Sequence, residues 1–130
     1  AELFYLTGKD DYRTRSEQNV RTFSGELSRQ FFPLSTLINS CELLENALQI
    51  VIIGDRLADD TTDLRRAVCS VSLPNRITSV IPTAANLPAN HPATGKVRLN
   101  GKATAYVCHG PTCSAPITDP EALAKYLESA

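Results

Sequence analysis

The chain has 130 residues, 42% of them hydrophobic and 21% charged, a balance that argues against wholesale disorder and provides for one core. Its 13 basic and 14 acidic residues leave a formal charge of -1. Arg13, Arg15 and Arg21 are the nearest thing to a basic cluster, so the electrostatic footprint of a nucleic-acid binder is missing.

Ala1 to Leu6 lack the basic start of a signal peptide. The longest aliphatic run, Ile50 to Ile53, is far too short to span a bilayer. The expectation is therefore no membrane partner. Leu3, Phe4 and Leu6 read as the last turns of an apolar-faced helix without a start signal, and the chain has no methionine. Together these predict a carboxyl-terminal piece of a larger protein.

In chain order, Gly8 suits a helix C-cap, and Asp10 and Asp11 sit where a new helix favours acids. From Tyr12, Val20, Phe23, Leu27 and Phe31 predict one helix running to about Gln30. Pro33 breaks it and suits the first turn of the next, which carries Leu34, Leu37, Ile38, Cys41, Leu44 and Leu48. The reading is an antiparallel helical hairpin with a very short connection.

At Gln49 the period changes. Ile50 to Ile53 is a β-branched run without alternation, ended by Gly54-Asp55, as expected of a strand buried on both faces. Asp59 and Asp60 precede a third helix carrying Leu64, Ala67, Val68 and Val71, stopped near Pro74-Asn75. Ile77 to Ile81 is a second strand, and strand–helix–strand is a crossover unit if the strands are parallel. Ala84 to Gly95 lacks any period and reads as a surface loop. Val97 to Leu99 can add a short strand before the Asn100-Gly101 turn. Thr104 to Cys108 is the third strand. The last helix starts at Asp119-Pro120, with Thr118 and Glu121 spaced for a capping box.

Ligand sites in open parallel α/β sheets gather at the carboxyl ends of the strands. That rule brings Gly54 and Asp55 to one edge with Cys108, His109 and, beyond them, Cys113. This edge is the candidate site. Its plainer reading gives Gly54 a tight turn and Asp55 a cap, and turn chemistry favours that. Cys108 and Cys113, with His91 as a further donor, supply only part of a zinc set, so no metal is expected. Their spacing exceeds that of reactive Cys-x-x-Cys pairs, which favours a structural or inert pair over a redox one. His109 follows Cys108 directly, and neighbours on a strand face opposite ways, which argues against a Cys-His catalytic pair. Gly54-Asp55-Arg56-Leu57 lacks the glycine spacing of a dinucleotide loop, so no cofactor is expected. Cys41 and Cys69 fall on apolar helix faces as small hydrophobes, the usage of a cytoplasmic protein.

Ala1-Glu2-Leu3-Phe4-Tyr5-Leu6-Thr7-Gly8 with Tyr12-Arg13 resembles the helix-to-helix joint of (α/α)6 barrels of the six-hairpin glycosidase type. Ala103-Thr104-Ala105-Tyr106-Val107-Cys108, with Cys113, Pro116, Thr118-Asp119-Pro120 and Leu123, resembles the carboxyl terminus of the thioredoxin domain-containing, spermatogenesis-associated family. Ile50 to Asp55 and Leu73-Pro74-Asn75-Arg76 resemble the same tail. The resemblance implies a thioredoxin-like domain, then a barrel similar to N-acylglucosamine 2-epimerases, then this α/β tail. It transfers no catalytic residue, because the implied catalytic cysteines and histidines lie outside these stretches.

The combined expectation is α/β: a small, mostly parallel sheet of three or four strands with flanking helices, preceded by a helical hairpin from an (α/α) barrel. Residues 1–48 would close the barrel and residues 49–130 form the α/β unit. The expected function is a non-catalytic structural and docking segment, not a complete enzyme. Its expected partners are the thioredoxin-like domain and barrel of the same protein, with self-association through an exposed helical face. The alternative is a contribution to a carbohydrate-binding, epimerase-like or thiol-redox site at the edge carrying Asp55 and Cys108/Cys113.

Overall fold

The structure, a computed structural model, describes residues 1–27, 29, 32–83, 87, 89 and 91–130. Helix α1 (Glu2–Thr7) ends at Gly8, whose left-handed φ of 68° lets its N–H donate to the Phe4 carbonyl. Helix α2 (Asp10–Phe23) begins with two acids in its first turn. It stops seven residues short of the expected Gln30. Ser24 and Gly25 are poor helix formers, and a 3-10 turn (Ser24–Glu26) takes over. Leu27 thus lies beyond the helix, and Phe31 lies outside the described residues. A second 3-10 turn (Phe32–Leu34) holds Pro33, and α3 (Ser35–Asn46) follows. The connection is therefore longer than the tight hairpin turn expected, although α2 and α3 do pack on one another.

Among the described residues the sheet has four strands in the order β2-β1-β3-β4: β1 (Leu48–Ile53), β2 (Arg76–Ile81), β3 (Thr104–His109) and β4 (Thr112–Cys113). Helix α4 (Asp59–Ser70) connects β1 to β2, and these two strands are parallel, Leu48 opposite Arg76 through Ile53 opposite Ile81. The sheet is otherwise antiparallel, which corrects the mostly parallel expectation. β3 runs against β1, with Ile53 opposite Thr104 and Leu48 opposite His109, and β4 runs against β3. The physical reason is connectivity. A parallel return needs a crossover, commonly a helix, and among the described residues between β2 and β3 there is none. The Gly110-Pro111 link between β3 and β4 is a hairpin turn, which only antiparallel strands accept. Before β3, Leu99 forms a single antiparallel bridge to Lys102 instead of a strand, across an Asn100-Gly101 turn with both φ positive. Of the expected loop, residues 84–86, 88 and 90 lie outside the described residues.

One face of the sheet carries the main core. Ile50, Ile52, Ala105 and Val107 meet Leu64, Ala67 and Val68 of α4 and Leu123 and Leu127 of α5 (Pro120–Glu128). Asp119 caps α5, its carboxylate accepting the Ala122 N–H at 2.8 Å, so Asp119 holds the cap position and not Thr118 of the expected box. The opposite face is thinner: Val51 and Ile53 pack on Ala93, with Ile81, Leu87 and Tyr106 around them. His91 ties α1 to this face, its Nε2 3.2 Å from the Leu6 carbonyl while its Nδ1 accepts the Ala93 N–H. Helices α1, α2 and α3 contain no buried residue. Leu3, Leu6, Phe23 and Phe32 are exposed, Phe32 by 87%. No helix among the described residues is long and apolar enough to cross a membrane.

Candidate functional site

The reversed direction of β3 decides the geometry. Gly54 and Asp55 follow the end of β1 at Ile53, which faces Thr104, the start of β3. Cys108 faces Gln49 near the start of β1. The candidate residues therefore divide between opposite ends of the sheet. The shared edge of Asp55 with Cys108, His109 and Cys113 rested on parallel strands, and the antiparallel ladder removes it.

At the first end, Asp55 is exposed, and its carboxylate accepts the Leu57 N–H at 3.1 Å while its carbonyl accepts from Ala58. That is an Asx turn leading into α4. Gly54 is buried, and a Cβ there would run into Thr61 Oγ1 and stand 3.1 Å from Ala103 Cβ. The residue that ties this end together is Asp60, whose role no motif in the sequence marks. Its carboxylate accepts the Ala103 N–H at 2.7 Å and the Thr61 N–H at 2.8 Å, with Arg98 Nη2 at 3.8 Å. The Ala103 N–H, then Thr61 and Arg98, hold the Asp60 carboxyl below its ordinary range, against a smaller opposing effect of burial. The Ala103 and Arg98 contacts fasten the start of α4 to the segment that enters β3.

At the other end, Cys108 and Cys113 stand opposite each other on β3 and β4 and form a disulfide. Cys108 is buried, and Cys113 and His109 are exposed. Strand alternation turns Cys108 and His109 to opposite faces, so the imidazole does not serve the sulfur. His109 and Cys113 line a cleft of about 540 Å³ with Leu48, Asn75 and Tyr126. The Asn75 side chain already donates to the Asn46 carbonyl. What remains is a mostly apolar cleft with one exposed imidazole, whose neighbouring sulfurs are consumed in a disulfide. The other two cysteines are free, Cys41 partly buried and Cys69 exposed. The exposure of Cys69 corrects its placement on the apolar face of α4, which Leu64, Ala67 and Val68 occupy.

A second cleft, of about 640 Å³, runs along β2, the outer strand of the sheet. Its floor is Ile77 to Ile81; Glu2 and Leu6 of α1 flank it, as do Arg56, Arg65 and Cys69 from α4 and the loop before it. Arg76 also lines it, but its guanidinium is engaged, donating to the Val68 and Val71 carbonyls at 2.8 Å each. None of these residues reads as part of a site in the sequence, because strand order, which makes β2 an edge, is not written there.

No family model matches the chain, and no solved structure matches it. Spermatogenesis-associated protein 20 of Homo sapiens is 35% identical over 129 residues, covering 96% of this chain. The Rattus norvegicus protein of the same name is 31% identical and the Mus musculus protein 30%, over the same share. The chain spans about 16% of the length of these curated relatives.

Proposed function

We propose that this chain is a non-catalytic docking segment of a longer polypeptide of the spermatogenesis-associated protein 20 type, in which residues 1–48 complete a helical barrel and residues 49–130 form the α/β unit behind it. One observation carries the reading. Helices α1 to α3 bury no residue, while Leu3, Leu6, Phe23 and Phe32 stand exposed and the sheet unit holds a complete core of its own. An amphipathic helix without a buried stripe wants a partner surface. The small share of the relatives' length covered by the chain supports the remainder of the same polypeptide as the occupant. The thioredoxin-like domain and epimerase-like barrel implied by the resemblance are the form we assign to that remainder.

Hydrogen exchange tests this on two proteins, the 130-residue chain and the full-length polypeptide that contains it. Amides of α1 to α3 should exchange at least tenfold more slowly in the longer protein, while those of β1 and β3 stay alike. Equal exchange of the helices in both overturns the docking role.

A second reading, thiol–disulfide exchange at Cys108–Cys113, is favoured by the bonded pair with its exposed Cys113. It requires an external dithiol that is oxidised as the pair is reduced. Catalytic turnover of a dithiol-dependent disulfide reduction, lost in Cys113→Ser, would establish it; stoichiometric reduction alone would leave the pair structural.

A further inference from the structure

We infer that the open edge of β2 receives an extended peptide segment that adds to the sheet as a further strand, with acidic side chains on one of its faces and apolar ones on the other. The backbone provides the first ground. Leu48 donates to the Asn75 carbonyl and Gly54 to the Ile81 carbonyl, so residues 77, 79 and 81 spend their backbone groups on β1. Strand alternation then turns the N–H and C=O of Thr78 and Val80 outward, away from β1. An outer strand with such a row of groups is a template for another strand.

The groove walls give the second ground and the chemistry of the guest. In register, Thr78 and Val80 stand beside Ile50 and Ile52, on the α4 face of the sheet. That wall presents Arg56 and Arg65, both exposed. Neither forms a hydrogen bond or ion pair among the described residues. The other wall is α1, with Leu6 exposed toward the groove and Glu2 at its end. A strand alternates its side chains between the two walls. Carboxylates at one parity meet the guanidiniums, and apolar side chains at the other meet Leu6. A second copy of β2 is a poorer guest, since it would bring Arg56 and Arg65 of both copies to one groove.

The probe is a blocked seven-residue peptide alternating valine and glutamate, titrated into the 130-residue chain and read by fluorescence anisotropy. Binding is expected, weakened at least tenfold when lysine replaces glutamate or when Arg56→Glu and Arg65→Glu are combined. N-methylation of the peptide at alternate residues should abolish binding in one parity and spare it in the other. Val80→Pro should also abolish it, because an outward N–H on an outer strand is where proline is tolerated. Thr78→Pro repeats that test, and an unchanged urea midpoint certifies each fold. Absence of binding, equal binding of the lysine peptide, or indifference to methylation parity overturns the proposal. So does a dimer of the chain that the peptide dissociates, which would make a second copy the natural occupant.

Discussion

Asp60 accepts a hydrogen bond from the backbone N–H of Ala103 at 2.7 Å, across 43 residues of sequence. The bond joins the first turn of α4 to the residue before β3, the two elements that meet at the Gly54 end of the sheet. The same carboxylate takes the Thr61 N–H, so one charge satisfies a helix-start donor and a strand-start donor together.

The charge state of Asp60 therefore enters the stability of the fold. Its carboxyl is held below its ordinary range in the folded chain, chiefly by Ala103. The contribution is present above the unfolded carboxyl's value and lost as pH falls through the lower folded value. Asp60 is 41% exposed at its side chain, which discounts the effect. Asp60→Asn should cost about 1 kcal/mol at pH 7, the scale of a partly exposed charged hydrogen bond. The difference should shrink as the pH is lowered from 7 below the ordinary carboxylate range, toward the lower folded value. Urea unfolding of both proteins across an acid pH series measures it.

Gly54 is a matter of space. An added Cβ collides with Thr61 Oγ1 and crowds Ala103. Gly54→Ala should destabilise by roughly 1–3 kcal/mol through overpacking. Thr61→Ala removes the hydroxyl, so the double variant should recover about 0.5 kcal/mol or more relative to the sum of the two singles. Strict additivity of the three unfolding free energies would show that the collision relaxes at no cost.

Local chemistry and the β1–α4–β2 crossover were legible in the sequence, and the direction of β3 was not. Gly8 as a C-cap, the β-branched run into Gly54, the apolar positions of α4 and the start of α5 at Pro120 all depend on neighbours within a few residues. The direction of β3 depends on a connection whose Ala84 to Gly95 stretch carries no period. Reading β3 as parallel carried Cys108 to the Asp55 end, and the Gln49–Cys108 pairing carries it back. The early stop of α2 is an intermediate case. Ser24-Gly25 was visible, but Leu27 and Phe31 continued the helical spacing past it.

The disulfide spans a short hairpin, with only five positions of sequence separation. Loop-closure entropy for so small a ring gives about 2 kcal/mol. Cys113→Ser should lower stability by that amount in oxidising buffer and by nothing when dithiothreitol is present. The comparison is made at the exposed partner because Cys108 is buried, where a serine hydroxyl would add a desolvation penalty. A loss that persists under reducing conditions would assign the effect to packing at Cys113 and not to the bond.

The exposed helical face separates stability from assembly. Phe23 and Phe32 are 49% and 87% exposed, and neither belongs to either core cluster. Phe32 is the side chain whose replacement with serine removes little buried area, so on Phe32→Ser the unfolding free energy of the isolated chain should change by less than about 0.5 kcal/mol. The same change takes away aromatic area that a partner surface would desolvate, and aromatic anchors dominate such contacts. Self-association of the chain, followed by sedimentation velocity across a concentration series, should therefore weaken while the urea midpoint holds. In the longer polypeptide Phe32→Ser should lower the unfolding midpoint, because the proposed docking would bury that ring against the remaining helices. A midpoint unaffected in both proteins would leave this side chain as an ordinary surface hydrophobe and remove the docking role from this face.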